Sequence, residues 1–130
     1  MIDRYSPFGG LDLLASAVVL LDAELRIRYV NPAAENLLAA SSRNLINRPL
    51  QKAFTYSRTL KQALDNAVSN NWSYTGQNIE IRRGDNEKLS LNCTVTPLRA
   101  ASAPEVRLLI ELQPIDQQLK ASREEQLLQQ

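Results

Sequence analysis

The chain has 130 residues and a net charge of +1, from 15 Lys+Arg against 14 Asp+Glu. That length fits one domain with one buried core, and the balanced charge argues against a polyanion binder working through bulk electrostatics. Histidine is absent and cysteine occurs once, which excludes His-based acid–base catalysis, a proximal haem histidine, His-ligated zinc, a phosphohistidine and an internal disulfide from this chain.

Residues 1–10 read as an irregular lead broken by Pro7 and Gly9-Gly10, without the basic stretch and apolar run of a secretory signal. A cytoplasmic, reduced setting is the simplest expectation. Leu11, Leu14 and Ala15 recur at helical spacing behind Asp12, which predicts a short helix. The longest apolar run, residues 13–21 with Ser16 inside it, is about half of the ~20 residues a membrane-spanning helix needs. Within it, Ala17-Val18-Val19-Leu20-Leu21 predicts a central strand, and residues 26–30 alternate as a half-exposed one. The link Asp22-Ala23-Glu24-Leu25 between them has the length of a hairpin connection.

Asn31-Pro32 then switches the period. The Asn side chain can accept an early backbone N–H, and proline at the next position needs no N–H and has its φ preset. Ala34, Leu37 and Leu38 follow as one helix face. Ser41-Ser42 is a second capping candidate, and residues 44–49 form a short turn or helix ended by Pro49, with Leu50 and Phe54 facing inward. The clearest helix spans 59–70: Leu60, Ala63, Leu64, Ala67 and Val68 fall at i, i+3, i+4, i+7 and i+8. Ser57 and Thr59 are capping candidates before it, Lys61 and Asp65 are spaced to pair on its outer side, and Asn70-Asn71 is the stop. Residues 74–81 return to strand, Gly84-Asp85-Asn86 is a turn, and Leu89, Leu91, Cys93 and Val95 alternate with polar residues. Residues 100–104 form a loop of small residues, and Val106, Leu108, Ile110 and Leu112 alternate again up to Pro114. From Asp116 the composition turns to Gln, Glu, Lys and Leu, a helix-forming mixture with too few apolar positions to define a heptad. Strands in two hairpin-like groups with helices bunched between them predict an α+β domain, one antiparallel or mixed sheet with helices over one face.

The search for chemistry finds no phosphate loop, neither GxxxxGK[ST] nor GxGxxG. Cys93 reads as a small core residue, with a reactive or flavin-adduct thiol as its functional alternative. Asp22, Glu24 and Glu35 read as a turn residue and solvated charges rather than an acid pair. Arg82, Arg83, Lys88 and Arg99 read as a solvated hairpin rather than a nucleic-acid surface, and exposure alone accounts for Arg26 and Arg28. Trp72, Tyr74 and Tyr29 either pack against the core and sheet edge or line a ligand pocket. No residue pattern supports catalysis by this chain.

The stretch Leu20-Leu21-Asp22, followed by Ile27-Arg28-Tyr29-Val30-Asn31-Pro32-Ala33-Ala34-Glu35-Asn36-Leu37-Leu38, resembles the opening of a PAS domain. Arg48-Pro49-Leu50, the helix at Thr59 and the three late strands fit the rest of that order over about residues 12–114. The resemblance implies the PAS fold, a five-stranded antiparallel sheet in order 2-1-5-4-3 with helices over one face. Leu13-Leu14-Ala15-Ser16-Ala17-Val18-Val19-Leu20-Leu21-Asp22, the run from Tyr29 to Leu38 and the Gln-Pro-Ile-Asp-Gln-Gln stretch at 113–118 are similar to the N-terminal PAS domain of the NtrB (GlnL) family of nitrogen-regulation sensor histidine kinases.

That resemblance implies a lead over 1–10, a PAS domain over 11–114 and a helix or linker over 115–130 leading towards a kinase core. It implies a homodimer, with Leu11, Leu14 and Leu119 as dimer and signal-transmission residues, and no catalytic, metal or cofactor site in this stretch. ATP and Mg would belong to the kinase core, and the NtrC response regulator and the P-II protein would be partners through that core; no nucleic acid and no membrane are expected. The H-E-x-x-N-P box and the ATP-lid glycine boxes of such kinases are absent, so the chain reads as a fragment that is not itself an enzyme. The Asp-Ile-Thr that ends many PAS domains is replaced by Pro114-Ile115-Asp116, and Asn92-Cys93-Thr94 falls in a strand rather than in the photoreceptor's Asn-Cys-Arg-Phe-Leu-Gln helix motif. The alternative reading is a small-molecule-binding PAS sensor coupled to another output domain; an enzyme in its own right stands third.

Overall fold

The computed structural model describes residues 16–98 and 105–115. The element order is β1 (Ala17–Leu21), β2 (Ile27–Val30), α1 (Pro32–Leu38), α2 (Ser42–Leu45), a 3-10 turn (Leu50–Lys52), β3 (Phe54–Thr55), α3 (Arg58–Asn70), β4 (Tyr74–Arg83), β5 (Lys88–Pro97) and β6 (Leu108–Pro114). The strands form one sheet in the order β2-β1-β6-β5-β4-β3, antiparallel throughout. This is the PAS-type α+β fold and strand order that the resemblance implies, with one addition. The sixth strand, β3, is a two-residue pairing of Phe54 with Arg83 and Thr55 with Arg82. It forms because Phe54 is fully buried, which presses the backbone just before α3 against the free edge of β4.

Strand β1 is buried along its whole length, as its unbroken apolar run predicts for a strand covered on both faces. Ala17, Val19 and Leu21 point into the main core, and Val18 and Leu20 point to the opposite face. The main core lies between the sheet and the helices. Leu91, Cys93, Val95, Leu108, Ile110 and Leu112 line its floor; Ala34 and Leu38 of α1 and Leu60, Ala63, Leu64 and Ala67 of α3 cover it.

The period switch at Asn31-Pro32 is built as expected. Asn31 is the N-cap of α1 and Pro32 its first helical residue. The Asn31 side chain does more than cap. Its Oδ1 accepts from the Ala34 amide at 2.9 Å and from the Val18 amide at 2.9 Å, and its Nδ2 donates to the Ser16 carbonyl at 2.9 Å. One buried amide thus ties the start of a helix to the start of the central strand. At the second cap the structure departs from expectation. Ser41 occupies the N-cap position of α2 without a side-chain bond; the Glu35 carboxylate accepts from the Ser42 amide instead, at 2.7 Å. A one-turn helix so close behind α1 lies within reach of a long acidic side chain. Ser57 caps α3 through the Leu60 amide, and Asn71 ends it with φ 60°. Asn47, Asn78 and Asn86 also take left-handed backbone, which asparagine tolerates because its short side chain bonds locally.

Asn31→Ala would leave two amides and one carbonyl without their side-chain partner in or near a dry interior. We expect a loss of roughly 2–4 kcal/mol, read as a lower urea midpoint with an unchanged slope. A loss below about 0.5 kcal/mol would show that the tie is dispensable.

Candidate functional site

The interior between sheet and helices is the first place to look for chemistry. Its floor and cover consist of Val, Leu, Ile, Ala and Phe with the single Cys93. The buried polar side chains among the described residues are Asp22 and Asn31, and both belong to turns and caps. No buried side-chain nitrogen or oxygen there lacks a hydrogen-bond partner. No group of three His, Cys, Asp or Glu among the described residues could hold a metal ion.

Cys93 is 1% exposed, as expected of a core residue, and burial pushes its thiol up to about 11. It is therefore a neutral thiol at physiological pH, the opposite of an activated nucleophile. Gly76 stands directly across from it on β4. A Cβ at Gly76 would collide with the Tyr74 hydroxyl and lie 2.9 Å from Ile79 Cδ1. Tyr74 thus folds over a position that only glycine leaves open, and packs against the core.

Trp72 differs. It is 59% exposed, which overturns its packing reading: Asn71 turns the chain left-handed out of α3, and the indole follows it into solvent. Tyr29 is half-buried on the opposite side of the sheet, against Val18, Leu20 and Val106. The three aromatics therefore do not converge on one pocket.

The β1–β2 connection is held by charge. Asp22 Oδ1 accepts from the Glu24 and Arg26 amides, each at 2.9 Å, the expected turn role. Its other oxygen meets Arg28 Nη2 at 3.1 Å. Arg28 also donates to Asn47 Oδ1 at 2.8 Å, and Arg26 donates to the Asn47 carbonyl at 2.9 Å. Exposure alone is therefore not the account of these two arginines; they clasp the hairpin to the loop after α2. Strand parity could not reveal this, because Asn47 is distant in sequence. Arg82 and Lys88 are exposed as the solvated hairpin predicts, but Arg83 is half-buried and also donates to the Leu37 carbonyl of α1 at 3.4 Å. Arg83 pairs with Asp85 at 2.8 Å and Lys88 lies 3.9 Å from Glu80, while the Arg83 guanidinium holds the Asp85 carboxyl below its ordinary value. Lys61 and Asp65 pair at 3.3 Å. Arg99 and the dimer candidates Leu11, Leu14 and Leu119 lie outside the described residues.

The other face of the sheet is graded. Leu20 is aligned with Tyr29 on one side and Leu109 on the other, an apolar row. The next row outward aligns Val18 with Glu111 and Thr94. The row after that pairs Gln113 with Asn92 and is polar. Val106 belongs to the apolar end. Its alternation with Leu108, Ile110 and Leu112 is misleading, because it precedes β6. The bonds of Leu98 N to Arg107 O and Arg107 N to Leu21 O anchor the chain there, and Val106 falls on the opposite side. This second, smaller buried cluster of Val18, Leu20 and Val106 is what sequence reading missed; a fully apolar β1 was its one signal.

A family profile described as PAS fold matches residues 9–126. The chain belongs to the PAS family. It is 30% identical over 115 residues to the sensory histidine kinase/phosphatase NtrB of Klebsiella oxytoca, covering 88% of this chain and 31% of that protein. It is 29% identical over 123 residues to the NtrB of Vibrio alginolyticus, covering 95% and 34%. Among solved structures, the PAS domain of nitrogen regulation protein NR(II) from Vibrio parahaemolyticus superimposes with a TM-score of 0.69 and 26% identity, over 85% of this chain and 98% of that one. This PAS chain spans about a third of the length of the curated relatives it matches.

The raised Cys93 thiol has a stability consequence. The fold favours the neutral form, so its contribution is complete below the ordinary value of 9.0 and is lost as pH rises towards 11, at up to roughly 1.4 kcal/mol per pH unit. Under reducing conditions, the stability advantage of the native chain over Cys93→Ala should narrow between pH 8 and pH 10.5. An advantage that does not change with pH would contradict this account of the thiol.

Proposed function

We propose that this chain is the N-terminal sensory and dimerisation module of a two-component nitrogen-regulation histidine kinase. In that reading the whole protein is an ATP-dependent, cytoplasmic protein kinase that phosphorylates and dephosphorylates an NtrC-type response regulator, and a P-II protein acts on it through the kinase part. The module itself carries out no catalysis and holds no cofactor. The observation that carries the reading is the similarity to NtrB along 88% of this chain, together with the match to nearly the whole of an NR(II) PAS domain. In the same reading the chain divides into a lead over 1–10, the PAS unit over 11–114, and 115–130 running towards a kinase core.

The packing supports a mechanical role. Among the described residues no buried side-chain nitrogen or oxygen lacks a hydrogen-bond partner, and aliphatic side chains with Phe54 line the space between sheet and helices. No described helix is long and apolar enough to cross a membrane. Signals would then travel through changes in how two copies pack. Leu11, Leu14 and Leu119 are the residues proposed to meet across the dimer, and a small shift there would alter the pitch of the segment leading to the kinase.

The test is direct. The full-length gene product, given ATP and Mg, should autophosphorylate on histidine and pass the phosphoryl group to an NtrC-type receiver; failure of both steps would overturn the kinase reading. The present chain should form a dimer by light scattering at high micromolar concentration, and Leu11→Asp with Leu14→Asp should shift it to monomer. A strictly monomeric native chain would overturn the dimerisation role. Native mass spectrometry of freshly purified protein should show the chain mass alone; a stoichiometric extra mass would favour the ligand-binding alternative.

A further inference from the structure

The start of β1 and the end of β6 lie side by side. The last rung of their pairing is Ala17 opposite Leu112. Continued by one residue, the same register sets Ser16 opposite Gln113, and there the side chains bond: Gln113 Nε2 donates to Ser16 Oγ at 3.1 Å. Ser16 is held from its other side as well, since its carbonyl accepts from Asn31 Nδ2 at 2.9 Å. Beyond Gln113 the backbone makes one more tie, from the Ile115 amide to the Ser90 carbonyl at 3.1 Å. The polar row continues across the sheet. Gln113 pairs in register with Asn92, and Asn92 Oδ1 accepts from the Asn78 amide at 3.1 Å, at the irregularity in β4.

We propose that Ser16 and Gln113 form a positioning junction that couples the start of β1 to the end of β6, so that the two loosen together. Each link has a physical basis. A cross-strand side-chain pair at the end of a ladder is the place where neighbouring strands fray first, so a bond there sets whether they fray together. If Gln113 lets go, the Ser16 backbone loses one restraint; Asn31 then loses a fixed acceptor, and its hold on the Val18 amide loosens. If Ser16 lets go, Gln113 swings free and the tie at Ile115, two residues on, loosens. The junction's use in signalling rests on the sensory-module reading. Its existence does not, and the following experiment on this chain alone tests it whether or not the whole protein is a kinase.

Amide hydrogen exchange resolved by NMR reads both ends. Ser16→Ala should speed exchange at Ile115, on the other strand, about two- to five-fold, as expected for losing one solvent-accessible hydrogen bond. Gln113→Ala should speed exchange at Val18 by a similar factor. Amides of α3 should keep their native rates in both variants, which shows that the fold is intact. The double variant should exchange no faster than either single one, because both remove the same bond. Gln113→Glu should restore near-native rates, since the Ser16 hydroxyl can donate to the carboxylate. Effects confined to the mutated strand, additive effects, no effect at all, or no rescue by glutamate would each overturn the junction.

Discussion

One buried amide holds the parts of this fold in register. Asn31 accepts from Val18 and Ala34 and donates to Ser16, so a single side chain meets backbone groups of the central strand and of the first helix. Such groups, left dry and unpaired, would cost more than the bond contributes when made. The constraint therefore works less by adding strength than by making other arrangements expensive. It fixes where β1 starts relative to α1, and with that it sets which face of β1 each side chain takes.

Because β1 is central, its two faces divide the molecule. Val19 and Leu21 belong to the large interior beneath the helices, and Val18 and Leu20 to a smaller cluster with Val106. The interior is apolar, mostly aliphatic with Phe54; close packing of that kind transmits displacement well because it has little room to absorb it. The opposite face runs from apolar at Leu20 and Leu109 to polar at Gln113 and Asn92. Val18, Leu20 and Val106 are 1–2% exposed, so the apolar end of this face is buried like the interior while its polar end meets water.

The resemblance to nitrogen-regulation kinases and the physical picture support each other from separate directions. Similarity assigns the chain to the PAS family and aligns it with NtrB. The buried polar side chains among the described residues, Asp22 and Asn31, hold turns and caps in position. The Asp22–Arg28–Asn47 clasp belongs to the same logic. It pins the β1–β2 hairpin at the sheet edge to the loop after α2.

What was legible in the sequence was local. The cap at Asn31-Pro32, the spacing of Leu60 to Ala67 and the alternation of Leu91, Cys93 and Val95 each report a period that a few neighbouring residues set by themselves. The sheet order followed only through resemblance, and the sixth strand did not follow at all, because two residues carry no period. Contacts between distant segments were equally silent: nothing near Arg28 announces Asn47, nothing near Ser16 announces Gln113, and Val106 keeps the beat of β6 while packing on its other side. The sequence by itself determined the longer helices and strands and the apolar core, because composition and short-range sterics decide those. Only the tertiary structure decided which polar side chains meet, which aromatic is left in solvent and how the two ends of the domain are joined, because those depend on chain segments that come together only when the sheet closes.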